Sequence, residues 1–397
     1  MAKQQVDALI STMVQSAEGI SDLLFIVGRP PQVEIYGKLR GVEFDPTQPI
    51  LTPEQTEQIA VTLLAGNERL YQDFLQSGSC DTSYAISGLA RFRVNIFRQN
   101  GHHGIVMRKL NTLIPSIEQL RLPAILKTVI KEKNGLVFVT GATGNGKTTT
   151  LAAMLNELNK NEDVHVVTLE DPIEYLHTHL RATFSQREMG KDFSDFATGL
   201  RAALRQAPKV ILVGEVRDRE TMEIALTASE TGHLVLATLH TISAAACLKR
   251  ILGFFSQEEE GQIRQRLSET LRFIVSQRLV PKKGGGRHLV TEIMGSNLRT
   301  REAVLLGETE IRDFHDIISA SIPMGWHTFE HSLIDAFKLE KISEETAMAY
   351  SVNKSQMRKD IDVAKKELYP SGDEPSGLKL NFDDLYVDPN ATFRPLV

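Results

Sequence analysis

The feature that most constrains this chain is the segment G-A-T-G-N-G-K-T at positions 141–148. It follows a short apolar run at 136–140, which predicts a strand, and it opens a stretch at 148–158 that has helical periodicity. A strand, a glycine-rich loop and a helix in this order present backbone N–H groups and a helix N-terminus to phosphate. The segment therefore predicts a phosphate-binding loop within an α/β domain.

The side chains of this loop suit ATP and Mg²⁺. Lys147 is placed to neutralise the β- and γ-phosphate oxygens, and the Thr148 hydroxyl is placed to ligate Mg²⁺. We expect ATP and Mg²⁺ as cofactors and ATP hydrolysis as the activity. The predicted cofactor-binding residues are Gly141, Ala142, Thr143, Gly144, Asn145, Gly146, Lys147, Thr148 and Thr149.

Two acidic segments follow predicted strands further along the chain. The sequence E-D-P-I-E at 170–174 comes after the apolar run 164–169, and Glu215 comes after the run 210–213. Because the carboxyl ends of parallel strands share one edge with the phosphate loop, both segments should face the same nucleotide. Glu215 is the better candidate for polarising the attacking water, with Glu174 assisting. For each of them a merely solvated carboxylate is the alternative.

Two histidines lie at the two ends of the predicted strand 233–238. His240 comes after its carboxyl end, near the expected γ-phosphate, where a neutral imidazole could donate a hydrogen bond. His233 lies at the opposite end, so spacing alone does not bring it to the same nucleotide. A purely structural role is the alternative for both, and no third ligand at suitable spacing supports a metal site.

The pattern along the chain indicates two domains. Residues 1 to about 110 predict a mixed α/β unit, and a linker is expected at 115–123. Beyond it, continuous apolar strands alternate with helices, which is typical of a parallel sheet covered on both faces. From about 256 the chain is expected to be mainly helical, with an exposed hairpin at 282–287 and a flexible tail from 370.

Composition narrows the functional classes. The formal net charge is −5, which disfavours a protein that grips duplex DNA, and the two cysteines, Cys80 and Cys247, form no zinc or disulfide pattern. The N-terminus leads into no apolar signal segment, and no run approaches the ~18 apolar residues of a membrane span. We expect a cytoplasmic protein that binds no nucleic acid directly.

Four ordered segments together resemble the type II/IV secretion ATPase superfamily, and most of all its type IV pilus retraction ATPases. They are G-A-T-G-N-G-K-T, T-L-E-D-P-I-E-Y, I-L-V-G-E-V-R-D and T-G-H-L-V-L-A-T-L-H-T, which correspond to the family's Walker A, Asp, Walker B and His boxes. The likeness covers about residues 5–355. It implies a PAS-like N-terminal domain at 1–112, a RecA-like ATPase domain with a helical C-terminal part at 113–365, and a tail at 366–397.

The resemblance also implies roles for particular residues. Glu215 and Glu174 would be catalytic, and His233 and His240 would be functional. Arg91, Arg93 and Arg108 match the family's N-domain arginines that reach the nucleotide; without the resemblance they are better explained as a solvated strand face.

The family implies a homohexamer that acts on a platform protein of the inner membrane and lies at that membrane from the cytoplasmic side. The extension and type II secretion ATPases carry an added N-terminal domain and a four-cysteine zinc insertion, both missing here, which favours retraction. Asn145 replaces the usual Ser, and residues 298–308 match the family's A-I-R-N-L-I-R-E motif only loosely. An accessory ATPase that assists a related retraction ATPase, the motor of a related secretion system, and a nucleic-acid translocase are the alternatives.

Overall fold

The computed structural model describes residues 2–43, 47, 49–64, 66–110, 113–309 and 313–368. The chain divides into two compact units, one formed by Met1–Leu279 with Leu289–Phe329 and the other by Val280–His288 with residues from Glu330 onward. The predicted boundary at 112/113 falls next to residues outside the described ranges and stays a prediction. Of the predicted tail, residues 369–397 lie outside the described residues, and 366–368 are helical.

The first part of the larger unit is an antiparallel sheet with three helices. The sheet has the order β3-β2-β1-β6-β5-β4. Its elements are α1 (Lys3–Gln15), β1 (Ile20–Phe25), β2 (Gln32–Ile35), β3 (Lys38–Gly41), α2 (Pro53–Leu64), α3 (Glu68–Ser77), β4 (Ser79–Ile86), β5 (Ala90–Gln99) and β6 (His102–Leu110).

The period-two pattern predicted for β5 is confirmed. Phe92, Val94 and Ile96 are fully buried in one core cluster with the apolar face of α1. Because successive side chains of a strand point to opposite faces, Arg91 and Arg93 lie together on the other face. The apolar alternation thus places the predicted arginines on the face of the sheet away from its own core.

The second part of the larger unit is built on a seven-stranded sheet with the order β13-β12-β7-β11-β10-β8-β9. Its strands are β7 (Gly135–Thr140), β8 (His165–Glu170), β9 (Thr183–Glu188), β10 (Val210–Val213), β11 (Leu234–Leu239), β12 (Leu271–Pro281) and β13 (Arg287–Gly295). The helices of this part are α4 (Leu126–Val129), α5 (Lys147–Asn161), α6 (Phe196–Ala203), α7 (Arg219–Glu230), α8 (Ala244–Leu252), α9 (Glu260–Thr270), α10 (Leu298–Leu306) and α11 (Phe314–Ser319), with a 3-10 turn at Ile322–Met324.

This sheet is buried on both faces, as its apolar runs predicted. Every residue of β7, β10 and β11 is buried. Along β7, Leu136 and Phe138 belong to one core cluster, whereas Val137 and Val139 belong to the cluster on the opposite face. The pairing of β7 with β11, β11 with β10 and β10 with β8 is parallel, so the segments that follow these strands emerge at one edge.

The expectation of a mainly helical chain after residue 256 is wrong in part. Residues 271–295 form β12 and β13, and β12 pairs in parallel with β7, placing Ile274 and Val275 in the core. This pairing with a strand more than a hundred residues away decides the conformation, which local periodicity does not show. The exposed turn predicted at 282–287 does lie between these two strands.

The smaller unit contains the turn after β12 and the helices of the C-terminal part. These helices are α12 (Phe329–Lys338), which belongs to this unit from Glu330 onward, α13 (Glu344–Tyr350) and α14 (Lys354–Leu368). Ion pairs join α14 to its neighbours, from Lys338 to Glu367 at 2.6 Å and from Lys365 to Glu344 at 3.0 Å.

The two sheets and the C-terminal helices confirm the predicted α/β class and the predicted helical C-terminal part. None of the described helices combines the length and the apolar character needed to cross a bilayer.

Candidate active site

The glycine-rich loop connects the buried strand β7 to α5. Gly141, Gly144 and Gly146 have φ angles of +146°, +81° and +82°, a region that residues with a Cβ rarely adopt. A Cβ on Gly141 would lie only 2.6 Å from the backbone oxygen of Gln277. The sequence therefore needs glycine here for the backbone to turn tightly into the helix.

Asn145 fixes this loop to the neighbouring strand β12. Its Nδ2 donates to the backbone oxygen of Gln277 at 3.2 Å, and its Oδ1 accepts from the backbone N–H of Leu279 at 3.3 Å. A serine side chain is too short to make both bonds at once. This gives a structural role to the residue that departs from the family's usual Ser.

Lys147 lies at the mouth of the loop. Its Nζ donates to the backbone oxygens of Gly141 at 2.8 Å and Ala142 at 3.2 Å. Burial lowers the pKa of Lys147, and the negative charges of Glu215 and Glu174 act in the opposite direction. The charges of both predicted carboxylates thus act on the predicted phosphate-binding lysine, in agreement with the edge argument.

His240 and Glu215 complete a chain of contacts with Lys147. The Nδ1 of His240 lies 3.4 Å from Lys147 Nζ, and its Nε2 lies 3.3 Å from Glu215 Oε1. On its other side, Glu215 Oε2 accepts from the Nε of Arg217 at 2.7 Å, and Arg217 also approaches Asp171 at 3.9 Å. Three of the predicted residues are therefore neighbours in space, and Arg217 is an addition that the sequence analysis missed.

The last residue of β8, Glu170, begins the acidic segment and is a buried carboxylate that the sequence analysis did not single out. Glu170 Oε1 accepts from the Thr168 hydroxyl at 2.6 Å and from Gln186 Nε2 at 3.2 Å. Burial raises the pKa of Glu170 to about 7, and the charge of Glu174 adds to this effect. The tyrosine after Glu174, Tyr175, places its hydroxyl 3.2 Å from Thr149 Oγ1 on α5.

The three predicted arginines occupy different environments. Arg91 is nearly buried, and its Nη2 lies 4.0 Å from Glu188. Arg93 lies 3.8 Å from Asp81 and is partly exposed. Burial raises the pKa of Asp171, and the charges of Arg217 and Arg93 act against that effect. Arg91 and Arg93 thus face the acidic segment.

Arg108 and His233 lie outside this constellation in the single chain. Arg108 donates to Asp22 on β1 at 2.9 Å, and its side chain is 70% exposed. The Nδ1 of His233, which precedes the amino end of β11, lies 3.0 Å from the backbone oxygen of Ala228. The opposite placement of the two histidines agrees with their spacing on the strand.

The oxygen donors at this edge fit a hard divalent cation. The Thr148 hydroxyl, on the first turn of α5, and the carboxylates of Glu174 and Glu215 are ligand types that Mg²⁺ prefers. The loop glycines add a backbone cradle that a Cβ would disturb at Gly141. The residues present therefore match the needs of an Mg-nucleotide.

Comparison with known proteins supports the same conclusion. The family model described as "Type II/IV secretion system protein" matches residues 84–304, more than half of the chain. The type IV pilus ATPase PilU of Pseudomonas aeruginosa is 39% identical over 91% of this chain and 92% of its own length. The type IV pilus retraction ATPase PilT of the same organism is 39% identical over 83% of this chain and 94% of its own.

A solved structure extends the likeness to the fold. The crystal structure of the pilus retraction motor PilT with bound ADP has a TM-score of 0.78 and 37% identity, and the match covers 89% of this chain and 98% of that one. The phosphate loop, the paired carboxylates and these matches lead to one conclusion: the chain belongs to the type IV pilus ATPases of the type II/IV secretion family and is a P-loop ATPase.

Proposed function

We propose that this chain is a motor that hydrolyses ATP to drive type IV pilus retraction and twitching motility. The observation that carries the proposal is the contact chain Lys147–His240–Glu215 at the mouth of the glycine-rich loop. Its relatives named PilU and PilT support the choice of the pilus as the machine on which the motor acts.

In this proposal the loop binds the triphosphate and the metal. Backbone N–H groups of 141–148 and the start of α5 bind the β-phosphate, and Lys147 exchanges its two carbonyl partners for phosphate oxygens. Thr148 ligates Mg²⁺, which neutralises charge on the β- and γ-phosphates when it is bound. Thr149, whose hydroxyl lies 3.2 Å from the Tyr175 hydroxyl, borders the nucleotide on the other side of the loop.

Hydrolysis then depends on the carboxylates and on charge from the N-terminal sheet. Glu215 polarises the attacking water, and Glu174 assists at the metal or the water. His240 lies between Lys147 and Glu215, where it can donate to the γ-phosphate. Arg91 and Arg93 supply positive charge to the transition state when the domains close.

Arg108 and His233, which lie apart from the site in one chain, would act in the closed or assembled state. We propose that the chain assembles as a homohexamer in the cytoplasm and lies peripherally at the inner membrane. There it acts on the pilus platform protein, alone or together with a related retraction ATPase, and without nucleic acid.

Deletion of the gene tests this function. Cells without it should be hyperpiliated and should not twitch, and the wild-type gene should restore both properties, whereas a Glu215→Ala allele should not. An allele with Asp163→Asn, which changes an exposed ion pair with Arg181, is the matched control and should restore them. Unchanged piliation and twitching in the deletion would overturn the proposal, and ATPase activity stimulated by DNA would favour a translocase instead.

A further inference from the structure

The end of strand β9 contains a buried carboxylate to which no role has yet been given. Glu188 is the last residue of β9, is 3% exposed and pairs in register with Glu170 of β8. A carboxylate at this depth is costly unless charged or polar partners compensate it. The partners of the Glu188 carboxylate therefore indicate what role it has in the structure.

Two of its partners come from the N-terminal sheet. The Ser83 hydroxyl of β4 donates to the carboxylate, with 2.9 Å to each oxygen, and Arg91 Nη2 of β5 lies 4.0 Å from Oε2. Lys191 Nζ, 2.7 Å from Oε1, also donates to the backbone oxygen of Ser83 at 2.9 Å. Glu188 is thus the acceptor around which two strands of the N-terminal sheet meet the ATPase sheet.

A fourth partner, after Ser83, Arg91 and Lys191, comes from the acidic segment. The backbone N–H of Ile173 donates to Glu188 Oε2 at 3.3 Å, and Ile173 immediately precedes Glu174. The same oxygen is therefore shared between the segment that carries Glu174 and the guanidinium of Arg91. Because Glu188 contacts both Arg91 and the Ile173 backbone, a shift of the N-terminal sheet would move the backbone next to Glu174.

The guanidinium of Arg91 lies in an unusual environment. Its Nη1 is buried and has no hydrogen-bond partner among the described residues. Burial lowers the pKa of Arg91, and the charges of Glu188 and Glu170 act against that effect. An unsatisfied buried donor costs free energy, so the site gains when an anionic oxygen reaches it.

We propose that Glu188 is a positioning residue for hydrolysis: it aligns the Arg91 guanidinium and the backbone next to Glu174 as one unit. Its negative charge attracts Arg91 of the N-terminal sheet and so connects that sheet to the catalytic edge of the ATPase sheet. This inference rests on the proposed ATPase site but assigns a residue outside it. Among the described residues the hydrogen bonds and ion pairs of Glu188 involve neither the phosphate loop nor Glu215, so we expect ATP affinity to change little when it is replaced.

The test is steady-state ATPase kinetics of the full chain with Glu188→Gln and Glu188→Asp, together with the affinity for a fluorescent ADP analogue. Glu188→Gln should lower kcat about tenfold, the size of an ordinary coupling between contacting residues, while KM and the ADP affinity change less than about twofold. Glu188→Asp keeps the charge and should recover part of kcat. The matched control is Asp192→Asn, because Asp192 accepts from the Glu188 backbone N–H but, among the described residues, forms no hydrogen bond or ion pair with Arg91 or Ile173.

A double-mutant cycle with Arg91→Gln separates positioning from mere structural support. If Glu188 acts through Arg91, the double variant should be no slower than the slower single variant. Losses of kcat that multiply, an unchanged kcat, or a rise in KM with a matching loss of ADP affinity would each overturn the proposal. If Glu188→Gln does not fold, Ser83→Ala removes one partner of the same carboxylate and should lower kcat in the same way. A wild-type chain without ATP turnover would instead refute the proposed function itself.

Discussion

The buried carboxyl of Glu170 should make the stability of the folded chain depend on pH. Its pKa is raised from 4.5 to about 7, mainly by burial, so the native state holds a proton that the unfolded chain has already released. Between these two values the native state binds more protons than the unfolded state. Stability from this group is therefore present at low pH and is lost as the pH rises from about 4.5 to about 7.

The magnitude follows from the size of the shift. One pKa unit corresponds to about 1.4 kcal/mol, so a shift of about 2.5 units is worth about 3 kcal/mol in all, of which about 2 to 3 kcal/mol falls between pH 5 and pH 8. Glu170→Gln removes this titration and keeps the shape. The glutamine oxygen can still accept from Thr168 and Gln186, since both bonds reach the same oxygen of Glu170.

Urea unfolding at pH 5, 6, 7 and 8 measures the effect. The single tryptophan of the chain, Trp326, is 4% exposed and reports unfolding of the larger unit by its fluorescence. The variant and the wild type should have similar free energies of unfolding at pH 5, and the variant should be more stable by about 2 to 3 kcal/mol at pH 8. Glu220→Gln, at a largely exposed carboxylate, is the control. Parallel pH profiles for Glu170→Gln and the wild type would refute the assignment.

Three further predictions concern the loop and the core. Lys147→Ala should abolish measurable ATP binding and turnover, because it removes the Lys147 ammonium at the loop's mouth; retained affinity in a titration with a fluorescent ATP analogue would contradict this. Gly141→Ala should also abolish turnover, because its Cβ would meet the backbone oxygen of Gln277 at 2.6 Å, whereas Gly261→Ala, where a Cβ meets open space on α9, should leave turnover intact. Phe138→Ala, at a fully buried site in β7, should lower the free energy of unfolding by about 3 to 5 kcal/mol in urea titrations, and a loss below about 1 kcal/mol would show that the site is not tightly packed.

Much of the ATPase sheet could be predicted because its signals are local. The strand predicted at 210–213 is β10 (Val210–Val213). The apolar run 136–140 begins one residue after β7 does, and the run 164–169 is offset from β8 by one residue at each end. Apolar strands buried on both faces leave a clear run in the sequence. The rule that parallel strands end at one edge predicts that Glu215 and Glu174 face Lys147, and the charges of both carboxylates act on the Lys147 ammonium.

The contacts around these residues could not be predicted in the same way. Arg217 lies only two residues after Glu215, but its bond to Glu215 depends on the loop conformation after β10, which no sequence pattern encodes. Glu188 meets Ser83, 105 residues earlier, through the packing of two sheets, and no local pattern encodes that meeting. β12 was missed for the same reason, because its partner β7 is distant in sequence.

The most direct test of the account is the rate of ATP hydrolysis by the purified Glu215→Ala chain. Glu215 lies between His240 and Arg217 at the end of β10, and the account assigns it the polarisation of water. The variant should bind the fluorescent ATP analogue as the wild type does and hydrolyse ATP at near the background rate, while Glu220→Ala, five residues further on, hydrolyses it normally. Turnover like that of the wild type in Glu215→Ala would contradict the central claim.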